Sequence, residues 1–184
     1  MTTLKSEHVV VEGSEVRFRF TGKSGKQWSL AMRDRRVAGI IRACQELPGQ
    51  DLLQYFDDDG ELRAISSGDV NAYLREITGR DITAKDFRTW AGTVLMVRFL
   101  SASGRFESET RAKRVINAAI KQVAAALGNT TAVCRKSYIH PAVTSAYLGG
   151  GFAVDAMRVS DASKSPGLRT EEATVLSLLG RWRH

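Results

Sequence analysis

Residues that cross-link or interrupt a chain are scarce in this sequence, which has two cysteines and three prolines in 184 residues. Cys44 and Cys134 are too few for a disulfide framework or a four-ligand zinc site, which fits a reducing compartment. No apolar run approaches the ~20 residues that span a bilayer. The first five residues also lack the apolar region of a signal peptide. These absences predict a soluble, cytoplasmic protein.

Acidic residues are scarce in the second half of the chain. Residues 1–92 contain 14 Lys+Arg and 14 Asp+Glu, whereas residues 93–184 contain 13 and 6. The second half therefore supplies the whole net charge of +7, and we expect it to face a polyanion such as nucleic acid. The length, with 43% hydrophobic and 26% charged residues, predicts one ordered domain with a core and excludes disordered and collagen-like chains.

Two stretches near the start alternate apolar and polar residues, which is the period of a strand with one buried face. Their apolar members are Val16, Phe18 and Phe20 in the first stretch and Trp28, Leu30 and Met32 in the second. The glycine-containing turn between them places Lys23 and Lys26 at or beside a hairpin tip. Such lysines are usually just solvated, although the glycines would also let the tip approach a phosphate backbone closely.

After this sheet the apolar period changes to 3.6, which predicts helices. The later helices are expected over residues 84–100, 109–127, 132–139 and 171–179. Gly128 is the expected stop of the second of these helices, and we expect Phe87, Val94 and Leu95 to face the core. The sequence therefore predicts a mainly helical α+β fold with a small antiparallel sheet at its N-terminal end.

The sequence gives little support to thiol or metal chemistry. Its three histidines are scattered, which argues against a cysteine–histidine nucleophile. Three aspartates at residues 57–59 precede a glycine, but they lack the alternate spacing of a calcium loop and are typical of a turn. We therefore predict no metal and no cofactor.

Another set of residues suits phosphate chemistry. Arg88 lies on a predicted long helix, and Asn129 and Tyr138 flank the basic pair Arg135-Lys136. A lone tyrosine beside basic residues is most often a packed aromatic with a wet hydroxyl. A phenol can nevertheless attack a phosphodiester where cationic groups offset the charge that grows on the phosphate oxygens.

These residues lie in two blocks: residues 81–93, DITAKDFRTWAGT, and residues 127–141, LGNTTAVCRKSYIHP. Together with residues 2–9 and 20–26, the blocks resemble the bacterial and poxvirus branch of the type IB DNA topoisomerases in order and spacing. The resemblance implies a topoisomerase IB/tyrosine recombinase-like catalytic domain. It also implies a transient 3′-phosphotyrosyl bond to one strand of duplex DNA, and relaxation of supercoils without ATP or an obligatory metal. A nucleoid-associated monomer is expected.

The resemblance also implies roles for single residues. Tyr138 matches the nucleophile, and Arg88 matches the arginine that holds a non-bridging phosphate oxygen. Asn129 stands where many members have histidine, so it can donate a hydrogen bond but carries no charge. Lys23 matches the lysine that protonates the departing 5′ oxygen, with Lys26 as the alternative. The expected contacts to DNA phosphates are Lys26, Arg135 and Lys136.

The sequence departs from the family pattern at its start. Members carry another catalytic arginine upstream of the Thr2-Thr3-Leu4 block, preceded by a domain that closes around DNA, and these 184 residues include neither. We therefore expect one truncated catalytic domain with impaired relaxation. Its expected parts are a sheet with the lysine hairpin at residues 1–32, a catalytic core at 33–147, and a tail with a helix at 148–184. Two alternatives stay open: a non-catalytic DNA-binding module, and a tyrosine recombinase, whose members usually have histidine at the position of Asn129.

Overall fold

Alternation of apolar residues produces a three-stranded antiparallel sheet near the start of the chain. The fold is that of a computed structural model, which describes residues 3–22, 25–104, 106–150 and 167–182. The strands are β1 (Val9–Glu12), β2 (Glu15–Thr21) and β3 (Gln27–Arg33), paired in the order β1-β2-β3. Val16 lies opposite Met32 and Phe18 opposite Leu30, so the two alternating stretches share one face of the sheet.

Contacts divide the chain into two compact units, Met1–Thr83 and Ala84–His184. The boundary falls inside residues 33–147, the range expected from the sequence to form the catalytic core. It also divides the charge unevenly. The first unit contains 12 Lys+Arg against 13 Asp+Glu, a net of −1, whereas the second contains 15 against 7, a net of +8.

The first unit has its core between the sheet and one helix. Helix α1 (Arg35–Gln45) begins after Asp34, whose carboxylate accepts the Val37 N–H at 2.9 Å. Its Ala38 and Ile41 are buried with Val16 in an apolar cluster on the sheet. The unit is completed by a hairpin of β4 (Gln54–Phe56) and β5 (Leu62–Ala64), and by α2 (Ser67–Thr78).

The second unit is helical and buries one core. Its described helices are α3 (Ala84–Ala102), α4 (Glu109–Leu127), α5 (Thr131–Ser137), α6 (Pro141–Leu148) and α7 (Thr170–Arg181). The most buried side chains of this core include Met96 and Leu100 from α3, Ile120 and Val123 from α4, Val143 from α6 and Val175 from α7. Gly128 ends α4 with a φ of +68°, so the predicted stop is confirmed.

The expected helix over residues 132–139 is shorter than predicted, and a second helix follows it. α5 ends at Ser137, and Pro141 begins α6. Proline suits the first turn of a helix because its missing N–H would have no partner there. The Nδ1 atom of His140 accepts the Ala142 N–H at 3.1 Å and so caps α6. Tyr138 therefore lies in a short break between two helices.

Two predictions of burial are wrong. Leu30 and Met32 were expected on a buried face, yet they are 48% and 40% exposed, because α1 packs mainly on β1 and β2. Phe87 was expected to face the core and is 56% exposed. It lies in the first turn of α3, and the buried residues of that helix begin only at Gly92.

Some sequence predictions concern residues outside the described ones. Lys23 and about half of the predicted tail, residues 151–166 and 183–184, are in this group. Within the part of the chain that the structure describes, no helix is both long and apolar enough to cross a membrane.

Candidate active site

Tyr138 is the first residue after α5 and lies outside regular helix. Its backbone has a φ of −127° and a ψ of 0°, and its N–H donates to the Cys134 carbonyl at 3.0 Å. The side chain is half-buried and packs against the core of the second unit. The residue is thus held partly by packing against this core.

Arg88 lies beside this ring. It is the fifth residue of α3, and its guanidinium carbon is 5.1 Å from the centre of the Tyr138 ring. This distance is that of a cation–π contact. The Arg88 Nη2 atom also donates to the carbonyl oxygen of Leu127 at 2.8 Å. The side chain as a whole is exposed, so a molecule arriving from solvent can reach it.

Asn129 approaches the same carbonyl from the loop after α4. Its Nδ2 atom donates to the Leu127 oxygen at 3.2 Å. Its backbone N–H donates to the Ala124 carbonyl at 2.9 Å, which fixes the residue just past the left-handed Gly128. A carbonyl oxygen has two lone pairs and can accept both bonds. Two of the predicted phosphate donors, Arg88 and Asn129, therefore converge on one oxygen, and Arg88 also lies beside the Tyr138 ring.

Gly92, on α3 one turn after Arg88, was not among the site residues expected from the sequence. A Cβ atom built on Gly92 would lie 2.3 Å from the Tyr138 carbonyl oxygen, so only glycine permits this close packing. A signal was present in the sequence, because a single glycine inside a strongly predicted helix usually has a packing reason.

The remaining predicted residues are distributed differently. Arg135 and Lys136 lie exposed on the last turn of α5, and the Arg135 Nη2 atom donates to the Asn117 side-chain oxygen at 2.5 Å. Lys26 belongs to the first unit, where its ammonium lies 4.3 Å from the centre of the Trp28 ring. Lys23 lies outside the described residues. The structure thus brings together Tyr138, Arg88 and Asn129.

Neither a thiol favoured for reaction at Cys134 nor a group of metal ligands is found among the described residues. Cys134 is buried, and burial raises the pKa of its thiol, an effect that the nearby Arg88 charge only partly opposes. A raised pKa disfavours the thiolate, which is the reactive form. Among the described residues, no three His, Cys, Asp or Glu side chains are grouped so as to hold a metal ion.

The helical unit therefore places Arg88 beside Tyr138 and brings Arg88 and Asn129 to one carbonyl oxygen. Comparison with known proteins identifies the family. A family model described as the catalytic core of eukaryotic DNA topoisomerase I matches residues 1–148. A similar protein is DNA topoisomerase 1B of Acanthamoeba polyphaga mimivirus, which is 30% identical over 146 residues that cover 76% of this chain and 44% of the viral protein.

The chain belongs to the type IB DNA topoisomerase family. The resemblance to type IB topoisomerases, inferred from the sequence, is confirmed. The predicted mainly helical α+β fold is confirmed as well. The chain spans under half the length of the viral relative.

Proposed function

We propose that this chain cleaves and rejoins one strand of duplex DNA through a covalent bond between the Tyr138 oxygen and a 3′ phosphate, and that this reaction relaxes supercoils. The observation that carries the proposal is the convergence of Arg88 and Asn129 on a single oxygen acceptor, with the Arg88 guanidinium also beside the Tyr138 ring. Membership of the type IB family supports it.

The hydrogen bonds to the Leu127 carbonyl support a phosphate-oxygen site near these two donors. The carbonyl oxygen receives hydrogen bonds of 2.8 and 3.2 Å from the two donors. A non-bridging phosphate oxygen carries more negative charge than a carbonyl oxygen, so it pairs more strongly with the Arg88 guanidinium and turns the neutral bond from Asn129 into a charge-assisted one. A phosphate that enters the site would therefore compete well for the same donors. Those donors would then offset the charge that grows in the transition state.

The chemical step replaces one phosphate ester bond by another, so the number of ester bonds is unchanged. The Tyr138 oxygen forms a bond to phosphorus while the bond from phosphorus to the 5′ oxygen breaks. The phenol loses its proton, and the departing 5′ oxygen gains one. Attack by the resulting 5′ hydroxyl on the phosphotyrosyl bond reverses the step, so no ATP is consumed.

The source of the proton for the 5′ oxygen is proposed from the family resemblance. Lys23 is the first candidate and Lys26 the alternative. Asn129 would hold its phosphate oxygen with a neutral amide, where a histidine in the same place could also carry charge. We expect asparagine in place of histidine to keep the position of the phosphate oxygen and to weaken its electrostatic stabilisation.

Single-turnover cleavage of a duplex with one 5′-bridging phosphorothiolate tests the proposed reaction. The sulfur leaves without a general acid, so the experiment reports on Tyr138, Arg88 and Asn129 separately from the lysines. We expect a protein–DNA adduct that survives denaturing electrophoresis, measured with duplexes that place the phosphorothiolate in several sequence contexts. Salt-sensitive binding with no adduct in any context would instead support the non-catalytic DNA-binding module.

Binding to duplex DNA should weaken steeply with salt. The second unit has a net charge of +8, and contact with roughly five phosphates predicts a slope of log affinity against log salt of about −4 to −5. Fluorescence anisotropy of a labelled duplex measures this slope. Replacing the exposed Lys136 by glutamine should reduce the magnitude of this slope by about 1. A slope near zero in the unsubstituted chain would exclude DNA as the partner.

A further inference from the structure

One face of α3 contacts the chain on both sides of Tyr138. Arg88 and Gly92 are four residues apart, as are Thr89 and Thr93, so the four residues form two adjacent rows on this side of the helix. Arg88 lies against the Tyr138 ring, as described above. The other three contact the backbone of residues 137–140.

Gly92 sets how closely α3 can approach. Its missing Cβ would lie 2.3 Å from the Tyr138 carbonyl oxygen and 3.3 Å from the Tyr138 carbonyl carbon. Both atoms belong to the backbone and cannot move aside as the end of a flexible side chain can. Any larger residue at position 92 would therefore push α3 away from Tyr138.

Thr93 bonds to the backbone just after Tyr138. Its side chain is buried, with the residue 2% exposed. The Thr93 hydroxyl donates to the Thr89 carbonyl at 2.8 Å and accepts the His140 N–H at 3.2 Å. The His140 N–H lies at the start of α6, where helix geometry provides no backbone partner. Thr93 thus fixes the residue two positions after Tyr138 to α3.

Thr89 contacts the backbone just before Tyr138. Its hydroxyl has one proton and lies 3.1 Å from the Lys85 carbonyl oxygen and 3.2 Å from the Ser137 carbonyl oxygen. The first contact is within α3, and the second reaches the last residue of α5. The hydroxyl can share its proton between the two acceptors. Thr89 and Thr93 therefore hold the chain on opposite sides of Tyr138.

We propose that Thr89, Gly92 and Thr93 are positioning residues that hold the Tyr138 phenol in register with the Arg88 guanidinium. The inference rests on the proposed strand cleavage. Arg88 immediately precedes Thr89 on the same helix, so the contacts of this face fix the 5.1 Å between the guanidinium carbon and the ring centre. A misplacement of about 1 Å can reduce a reaction rate about 10²-fold, even when the altered residue never touches the substrate.

Thr93→Val is the most direct test, because valine has nearly the same shape and lacks the hydroxyl. We expect single-turnover cleavage of the phosphorothiolate duplex to slow about 10- to 100-fold, with duplex affinity unchanged. Thr93→Ser restores the hydroxyl and should recover most of the rate. Thr174→Val is the matched control, since Thr174 is also 2% exposed and its hydroxyl donates to the Thr170 carbonyl at 2.9 Å within α7.

A double substitution separates positioning from stability. If Thr93 acts through the register of Arg88 and Tyr138, then Thr93→Val should have a smaller effect, below about 3-fold, when Arg88 is already alanine. A purely structural loss would instead slow both backgrounds equally. Thr89→Val and Thr89→Ser form a second pair, which decides the question if Thr93→Val does not fold.

The outcomes are distinct. If the unsubstituted chain forms no adduct, the proposed function fails. If it forms the adduct and a folded Thr93→Val variant cleaves at the same rate, the positioning role is overturned while the function stands. Equal slowing by Thr93→Val and Thr174→Val, or failure of serine to rescue, also overturns it.

Discussion

Replacing Tyr138 by phenylalanine should abolish the covalent adduct with DNA. Phenylalanine keeps the ring that packs on the core and against the Arg88 guanidinium, and it removes only the oxygen that would attack phosphorus. Loss of a covalent nucleophile typically costs ~10⁴-fold or more in rate. Duplex affinity should stay within about twofold, because the basic surface is intact. The measurement is mass spectrometry of the DNA-linked tryptic peptide, together with denaturing electrophoresis of the adduct.

Tyr147→Phe is the matched control for this experiment. Tyr147 belongs to the same unit, is buried, and its phenol donates to the Gly104 carbonyl at 3.3 Å. Burial raises the pKa of this phenol and so disfavours the phenolate form. We expect the Tyr147→Phe variant to form the adduct. A DNA-linked peptide recovered from Tyr138→Phe at the unsubstituted yield would assign the nucleophile to another residue.

Helix and strand positions could largely be predicted from the sequence, because the signals that set them are local. α4 runs from Glu109 to Leu127, the range expected from its apolar period. It starts after Ser108, which accepts the Arg111 N–H at 3.2 Å, and it stops at a left-handed Gly128. Both ends depend on neighbouring residues in the chain, so periodicity and capping chemistry suffice.

Burial was harder to predict, since an apolar face does not say what covers it. Leu30 and Met32 share the sheet face of the buried Val16, but α1 packs mainly on β1 and β2. Phe87 lies ahead of the part of α3 that enters the core. These outcomes depend on packing between elements distant in the sequence, which a local pattern does not contain.

The side chains of the candidate site were predicted, but its backbone partners were not. Arg88, Asn129 and Tyr138 were selected by their residue types and sequence blocks. The Leu127 carbonyl was not selected, because every residue has a carbonyl and only the fold decides which one faces Arg88 and Asn129. The roles of these three side chains and of Lys23 stay predictions.

Replacing Arg88 by alanine should slow strand cleavage by ~10²–10³-fold, the usual cost of removing one donor to a transition-state oxyanion. Arg88 is charged and exposed, its guanidinium lies beside the Tyr138 ring, and its Nη2 atom already bonds to the Leu127 carbonyl oxygen at 2.8 Å. Arg88→Lys keeps the charge but loses the planar fork of donors, so its rate should fall between those of arginine and alanine. Single-turnover rate constants on phosphorothiolate and ordinary duplexes measure these effects.

The loss should be the same on both substrates if Arg88 binds a non-bridging oxygen. A donor of the leaving-group proton would matter much less when sulfur leaves, since sulfur needs no general acid. Arg98→Ala is the control for charge alone, because Arg98 is an exposed arginine ten residues further along α3, about 15 Å away. It should lower duplex affinity slightly and leave cleavage of bound DNA near the unsubstituted rate. If Arg98→Ala slowed cleavage as much as Arg88→Ala, the general basic field would explain the effect, and the assignment of Arg88 to one phosphate oxygen would be wrong.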